Sequence, residues 1–358
     1  EIMIVTGGLG PTLDDLSRDA AARVLGVELY NDPASLEKIE EFFRRRQRLM
    51  PANNTRQAQF PAGSRIIANP YGSAPGFSLT IGRGRFYFLP GVPGEMKKMF
   101  QASIVPELEG LRPEAQRRVR TLTTYGLGES ALEEKLGEAG FSADFPEIRL
   151  GYRAAFPEVQ VKLYLPAARP EVLTDLEKQA LRRLQEILGR KLVSAQGLNL
   201  AQTVAAALSE RRLTLALAES CTGGLLANQL TNIPGSSAYF LLGAVTYANA
   251  AKERVLGVKP ALLERYGAVH EKTATAMAEG AQRVAGADYG LATTGIAGPD
   301  GGSPDKPVGT VCIGLAGPRG SSARSYSFTL GSRLAHKQIF AAQALNCLRL
   351  ELAADCKL

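Results

Sequence analysis

Apolar and polar positions along the 358 residues change rhythm twice, which marks out three segments. The run Ile2-Met3-Ile4-Val5-Thr6 is short, apolar and β-branched, and predicts a strand over 2–6. Glycines follow at once in Gly7-Gly8-Leu9-Gly10-Pro11-Thr12. A helical period then runs from about 14 to 25, opened by Asp14 and Asp15, whose charge suits a helix N-terminus. A second helix follows Asp32-Pro33, and a turn-rich stretch occupies 51–76. A hairpin over 77–89 breaks at Gly82-Arg83-Gly84, and Pro90-Gly91-Val92-Pro93-Gly94-Glu95 ends a strand and starts a helix.

After Gly110-Leu111-Arg112-Pro113 the pattern becomes strand 117–125, helix 129–139, alternating strands 148–154 and 158–165, and an amphipathic helix 170–188. That is a small α+β unit, 113–195. Its element order resembles a KH domain, but Gly126-Leu127-Gly128 has the wrong spacing for the GXXG loop that grips nucleic acid, so it reads as a spacer or dimerisation unit. From about 196 strands and helices alternate again. The expected order is helix 200–211, strand 213–218, helix 222–231, strand 238–248, short helices over 250–266, helix 271–285, strands 288–294, 308–316 and 322–329, and a long helix 332–353. This predicts an α/β sandwich with its own core. The expected fold class is α/β throughout, in three domains: 1–112, 113–195 and 196–358.

Charge narrows the partners. Lys and Arg exceed Asp and Glu by 42 to 35, a surplus of +7 that falls as +2, +1 and +4 over the three segments. Arg44-Arg45-Arg46 and Arg48 follow Glu37, Glu40 and Glu41 on one helical pattern, which describes a solvated face. Nucleic acid is therefore disfavoured as a partner. Cys221, Cys312, Cys347 and Cys356 form no CxxC pair, and His270 and His336 are the only histidines, so a structural zinc is not expected. Reduced cysteines and the absence of any membrane-length apolar run fit a cytoplasmic protein off the membrane. The chain opens on Glu1 and enters its first strand directly, and an upstream segment is expected.

The most informative charge feature is an absence. From Ser220 to Ala251, 32 positions carry no charged side chain, between Glu219 and Lys252. Glycines and Pro234 interrupt the stretch, so it is no membrane helix. At its start, Ser220-Cys221-Thr222-Gly223-Gly224 leaves a strand and enters a helix, an arrangement suited to holding an anion or a developing oxyanion. At its end come Tyr247 and Lys252. A serine hydroxyl needs a base, and lysine serves as one once neutral surroundings lower its pKa. Ser220, Lys252 and a relaying or orienting Tyr247 would form an amide-hydrolysing group. The same residue types also serve as a helix cap, a surface lysine and core packing, and Cys221 is a rival nucleophile.

Two other loops invite chemistry. Thr293-Thr294-Gly295-Ile296-Ala297-Gly298-Pro299-Asp300-Gly301-Gly302 lets backbone approach a phosphate or ribose, though it is neither a Walker A nor a dinucleotide sequence. Asp14 and Asp15 beside the first glycine loop suit a magnesium-dependent pyrophosphate site, or complement the helix dipole.

Together these motifs resemble the competence/damage-inducible CinA family. The resemblance rests on Gly7 to Thr12 with Asp14-Asp15, Ala74-Pro75-Gly76, Leu89 to Met96, Ala218-Glu219-Ser220-Cys221-Thr222-Gly223-Gly224, Pro234-Gly235-Ser236-Ser237, and Thr294 to Pro299 with Lys306-Pro307-Val308-Gly309-Thr310. It implies a MogA-like N-terminal domain recast as an ADP-ribose pyrophosphatase that uses Mg²⁺ or a similar divalent metal, and a C-terminal nicotinamide mononucleotide deamidase without a cofactor. The family's catalytic Ser, Tyr and Lys carry over to Ser220, Tyr247 and Lys252. Substrate-binding residues would be Thr222, Gly223, Gly224, Thr294, Gly295 and Gly298 in the deamidase, and Gly7, Gly8, Gly10, Pro11 and Thr12 in the first domain, with Asp14 and Asp15 on the metal. Gly331-Ser332-Arg333 stands where the family often has Gly-Asp-Arg. The expected ligands are nicotinamide mononucleotide and ADP-ribose, and the expected assembly a homodimer. The alternatives are a competence-related scaffold for DNA or partner proteins, and a first domain that only binds molybdopterin.

Overall fold

The structure, a computed structural model, describes residues 1–110 and 117–354. The expected boundary at 112/113 and Cys356 lie outside the described residues. The chain forms two compact units, Glu1–Glu114 and Ala115–Leu358. The α+β segment and the C-terminal sandwich share the second.

In the first unit the strands are β1 (Ile2–Thr6), β2 (Leu29–Asn31), β3 (Gln59–Pro61), β4 (Arg65–Ile67), β5 (Gly76–Ile81) and β6 (Gly84–Leu89). The main sheet runs β1-β6-β5-β4, with β1 parallel to β6 and the hairpin turning at Gly82-Arg83 as expected. One face carries Leu9, Phe60, Phe77 and Phe88, with Phe77 and Phe88 stacked 4.5 Å apart; the other carries Tyr87, Leu89, Met99 and Ile104. β1 pairs on one side only and exposes Ile2, Met3 and Ile4. The first helix is Ser17–Leu25, three residues later than the period suggested. Asp14 and Asp15 turn back onto Thr12, so they lie in the turn before the helix and not in its first turn.

The second unit begins with β7 (Val119–Tyr125), β8 (Arg149–Ala155), β9 (Glu158–Tyr164) and β10 (Leu192–Ser194), an antiparallel sheet in the order β10-β7-β9-β8. Val159, Val161 and Leu163 alternate inward on β9 and meet Leu173, Ala180 and Leu184 of the helix Pro170–Leu188. This sheet packs onto the sandwich that follows. The Tyr125 phenol donates to Gln343 at 3.0 Å, and the Glu158 carboxylate accepts the Leu200 N–H.

The sandwich holds β11 (Leu215–Glu219), β12 (Phe240–Val245), β13 (Tyr289–Gly295), β14 (Thr310–Gly317) and β15 (Gly320–Ser327), ordered β12-β11-β13-β14-β15. Helices Leu200–Arg211 and Arg333–Ala354 cover one face through Val204, Leu208, Phe340, Leu345 and Leu348. Glu271–Ala285 covers the other through Met277, Ala278 and Ala281. That helix lies close: a Cβ at Gly290 or Gly314 would run into its backbone carbonyls. β11, β12 and β13 are parallel, and the chain passes from β11 to β12 and then back to β13 on the other side of β11. A crevice at the carboxyl ends of strands where the connection changes direction is where open α/β sheets bind ligands. Ser220, Thr246 and Thr293 all stand at that edge.

Candidate active site

Glu219 ends β11, and Ser220–Gly224 forms a tight turn before the helix Leu225–Thr231, not the first turn of a helix from 222. Ser220 N–H donates to Thr293 O at 3.0 Å, which pins the turn to β13, and Gly223 N–H closes it onto Ser220 O at 3.1 Å. On the other side of β11, Lys252 is the fourth residue of the helix Asn249–Leu256. Helical side chains slant toward the N-terminus, so the Lys252 stem reaches back past the start of its own helix. There Nζ donates to Thr246 O at 2.9 Å and Tyr247 O at 3.1 Å, and lies 3.3 Å from Ser220 Oγ. The residue is 1% exposed and makes no ion pair among the described residues. Burial therefore pulls its pKa below that of an ordinary lysine, opposed by the nearby Cys221 thiol.

That geometry has a direct chemical reading. A neutral amine has two hydrogens and one lone pair. The two carbonyls take the hydrogens, and the lone pair is left facing Ser220 Oγ.

The helix N-terminus is not open to an anion, contrary to the sequence-based expectation. The Glu219 carboxylate already accepts the N–H groups of Gly224 at 3.0 Å, Leu226 at 3.2 Å and Ala227 at 2.9 Å. The signal was the carboxylate just before the serine, which reads in sequence as a strand end. In this turn the backbone N–H of Thr222 has no partner among the described residues, and that of Cys221 meets only its own thiol.

Tyr247 is placed differently from a relay. Its backbone carbonyl holds Lys252, while its ring is 59% exposed and its phenol accepts a hydrogen bond from Arg333 at 2.8 Å. Arg333 also donates to Gly298 O, joining Tyr247 to the second glycine loop. Lys337, one turn further along the same helix, points its amine at Gly223. Sequence reasoning left Arg333 unassigned and missed Lys337, because their approach to 223, 247 and 298 is set by helix docking. Thr222 and Thr294 are buried and bonded inward, Thr222 to Thr293 at 2.7 Å and Thr294 to Ala268 O at 2.7 Å, so they brace the loops. Gly295 lies against β14 and Gly298 against Val308. The rival Cys221 is 5% exposed, and burial, with the nearby Glu219 charge, pushes its thiol up to about 12. It is a poor source of thiolate.

In the first unit the glycine loop is held by its carbonyls. Buried Arg18 donates to Leu9 O at 3.0 Å and Gly10 O at 2.6 Å, and Arg56 to Thr12 O at 3.1 Å. With carbonyls tied back, the N–H groups of Gly8 and Leu9 have no partner among the described residues. Asp15 accepts from the Thr12 N–H and hydroxyl; burial raises its pKa, but these bonds, the Gly10 N–H and Arg18 outweigh it and hold the carboxyl low. Asp14 also accepts from the Thr12 hydroxyl. Among the described residues no group of three or more His, Cys, Asp or Glu is placed to hold a metal, and no helix is long and apolar enough to cross a membrane.

Similarity to known proteins extends over almost the whole chain. A CinA-like protein of Desulfosudis oleivorans is 44% identical over 354 residues, covering 98% of this chain and 85% of its own. The chain belongs to the CinA family. Within it, a CinA-like protein of Geobacter sulfurreducens is 47% identical over 98% of this chain and 85% of its own. A relative from Shewanella oneidensis described as nicotinamide-nucleotide amidohydrolase PncC is 39% identical over 99% of this chain and 82% of its own. Family models match in three places: a CinA C-terminal domain at 198–352, a probable molybdopterin binding domain at 1–110, and a damage-inducible protein CinA KH domain at 119–193. The α/β class with MogA-like, KH-like and CinA parts is thus the fold of this CinA chain. The crystal structure of competence/damage inducible protein CihA from Agrobacterium tumefaciens aligns with 43% of this chain and 93% of its own at 39% identity and a TM-score of 0.42.

Proposed function

We propose that the C-terminal part of the chain is an amidohydrolase that converts nicotinamide mononucleotide to nicotinate mononucleotide and ammonia. The observation that carries the reading is the buried Lys252 amine 3.3 Å from Ser220 Oγ with its hydrogens directed to two carbonyls. The description of the Shewanella oneidensis relative supports the substrate. Lys252 takes the Ser220 proton as Oγ attacks the carboxamide carbon. The N–H groups of Cys221 and Thr222 receive the developing oxyanion. Lys252 then returns the proton to the leaving nitrogen, ammonia departs, and an ester on Ser220 remains. Water, deprotonated by Lys252, cleaves that ester to the acid and restores the serine. Arg333 and Lys337 supply positive charge for the nucleotide phosphate, and Tyr247, held by Arg333, walls the mouth.

For the first unit we propose metal-dependent hydrolysis of the ADP-ribose pyrophosphate. Two adjacent carboxylates, with oxygens beyond those bonded to Thr12, fit Mg²⁺, which keeps waters and takes its other ligands from substrate phosphates. Asp14 and Asp15 would hold it, and when bound it neutralises pyrophosphate charge. The Gly8 and Leu9 N–H groups would receive the phosphate itself.

One assay on the full chain tests both. Ammonia release from nicotinamide mononucleotide is expected to persist in chelator and to vanish in Ser220→Ala, while ADP-ribose cleavage stops in chelator and in Asp14→Ala/Asp15→Ala. Undiminished ammonia release by Ser220→Ala would sink the nucleophile assignment.

A further inference from the structure

The carboxylate beside the nucleophile is an unusual group to bury. Glu219 is 1% exposed, and no cation pairs with it among the described residues. Its charge is met by three N–H donors, at Gly224, Leu226 and Ala227, from the first turn of the helix Leu225–Thr231. That helix has Gly224 as its N-cap and no side-chain cap of its own; the Leu225 N–H reaches Thr222 O at 3.4 Å, and the N–H groups of Gly224, Leu226 and Ala227 depend on this one residue upstream. The result is a closed loop: the Glu219 side chain spans from the end of β11 to the helix, and Ser220 to Gly223 are the residues enclosed. The backbone of Glu219 adds a second tie. Its carbonyl accepts from Thr246 N–H at 2.8 Å, and Thr246 O and Tyr247 O are the acceptors that fix Lys252.

We infer that Glu219 is a positioning residue: its buried carboxylate staples the Ser220–Gly224 turn and so keeps the serine hydroxyl against the Lys252 amine. The inference rests on reading Ser220 as the nucleophile. The turn's other ties, Ser220 N–H to Thr293 O and the Thr222 hydroxyl to Thr293, run to β13, while Gly223 and Gly224 adopt left-handed φ of +60° and +89° and bring no side chains, so Glu219 is the side chain that joins the turn to its helix. Displacing the turn therefore means breaking charge-assisted hydrogen bonds to a group with no access to water. Glutamate does what glutamine does not, because the amide offers one acceptor oxygen and turns N–H donors toward N–H donors.

The test is Glu219→Gln in the full chain, read in two ways. Turnover of nicotinamide mononucleotide should fall in kcat by about tenfold to a hundredfold, with KM within about twofold, because the substrate contacts remain while the reacting pair is misaligned. Covalent labelling by a fluorophosphonate reports the serine without the natural substrate: the Ser220 Oγ–P bond forms, fluoride leaves, and Lys252 receives the proton. The wild-type chain should label at Ser220 and Glu219→Gln about tenfold or more slowly at an unchanged unfolding temperature. Wild-type rates of both in Glu219→Gln overturn the positioning role. Failure of the wild-type chain to label, with full turnover by Ser220→Ala, overturns the nucleophile reading on which it stands. In the unsubstituted protein the amide hydrogens of Gly224, Leu226 and Ala227 should exchange slowly; exchange at the rate of an exposed loop overturns the staple whether or not the variant folds.

Discussion

At the scale of single residues the proposed chemistry turns on the protonation of Lys252. As an ammonium it spends all three hydrogens on Thr246 O, Tyr247 O and Ser220 Oγ and has no lone pair for the serine proton. Burial shifts it toward the neutral amine. The proposed deamidase should therefore show kcat/KM rising with pH along one acid limb, whose midpoint lies below the value of about 10.4 for a free lysine, and then levelling. Lys252→Arg should remove that limb with the activity, since a guanidinium does not deprotonate, and lower the rate by about 10² to 10⁴. An undisplaced limb near the ordinary lysine value would exclude Lys252 as the base. The same depression has a sign in stability. Between the folded-state pKa and the unfolded value the unfolded chain binds the extra proton, so this residue makes stability rise with pH across that window. The serine, the lysine and the neutral stretch between them, which the structure brings together, stood out in sequence because an amide-hydrolysing group would need those residue types. Arg333 and Lys337 were not, since nothing local distinguishes them from solvated helix residues.

Elements were legible where hydrophobic periodicity sets them and blurred where short polar side chains compete with the backbone. Pro170–Leu188, Leu200–Arg211 and Glu271–Ala285 start and stop where expected. The helices expected from 14 and 222 begin instead at Ser17 and Leu225, because Thr12 with Asp14 and Asp15, and Glu219 with the Gly224 turn, make side-chain bonds that replace the first helical turn. β10, at three residues, is too short to leave a pattern. Packing between elements explains one glycine that the motif alone does not. Gly295 ends β13 where a Cβ would meet Thr310 O at 2.5 Å and Val311 Cα at 2.9 Å, so β14 lies too close for any side chain. Gly295→Ala should destabilise the second unit by about 1–3 kcal/mol, measured as a lower denaturation midpoint, and displace the loop that carries Gly298. A midpoint equal to that of the wild-type chain would mean the two strands have room to part.

For the whole molecule the question is what the KH-like segment does for the sandwich. It lacks the nucleic-acid loop, and its charge surplus is +1, so a salt-dependent grip on DNA has little to rest on. Its contacts are structural. The Tyr125 phenol reaches Gln343 on the long helix, Glu158 accepts the Leu200 N–H at the start of the helix Leu200–Arg211, and Arg349 donates to Leu192 O and Arg190 O. Each tie ends on a helix of the face opposite Glu271–Ala285, and none ends on Ser220, Thr246, Lys252 or Arg333. Removing the segment leaves the reacting pair its own partners but strips acceptors and apolar cover from those two helices. A chain beginning at 196 should therefore keep chelator-resistant deamidation with kcat within about threefold of the full chain, while unfolding at lower temperature. Loss of kcat at a temperature where the fragment is still folded would show that the KH-like segment reaches the site, and the catalytic unit would then have to be redrawn as the whole of Ala115–Leu358.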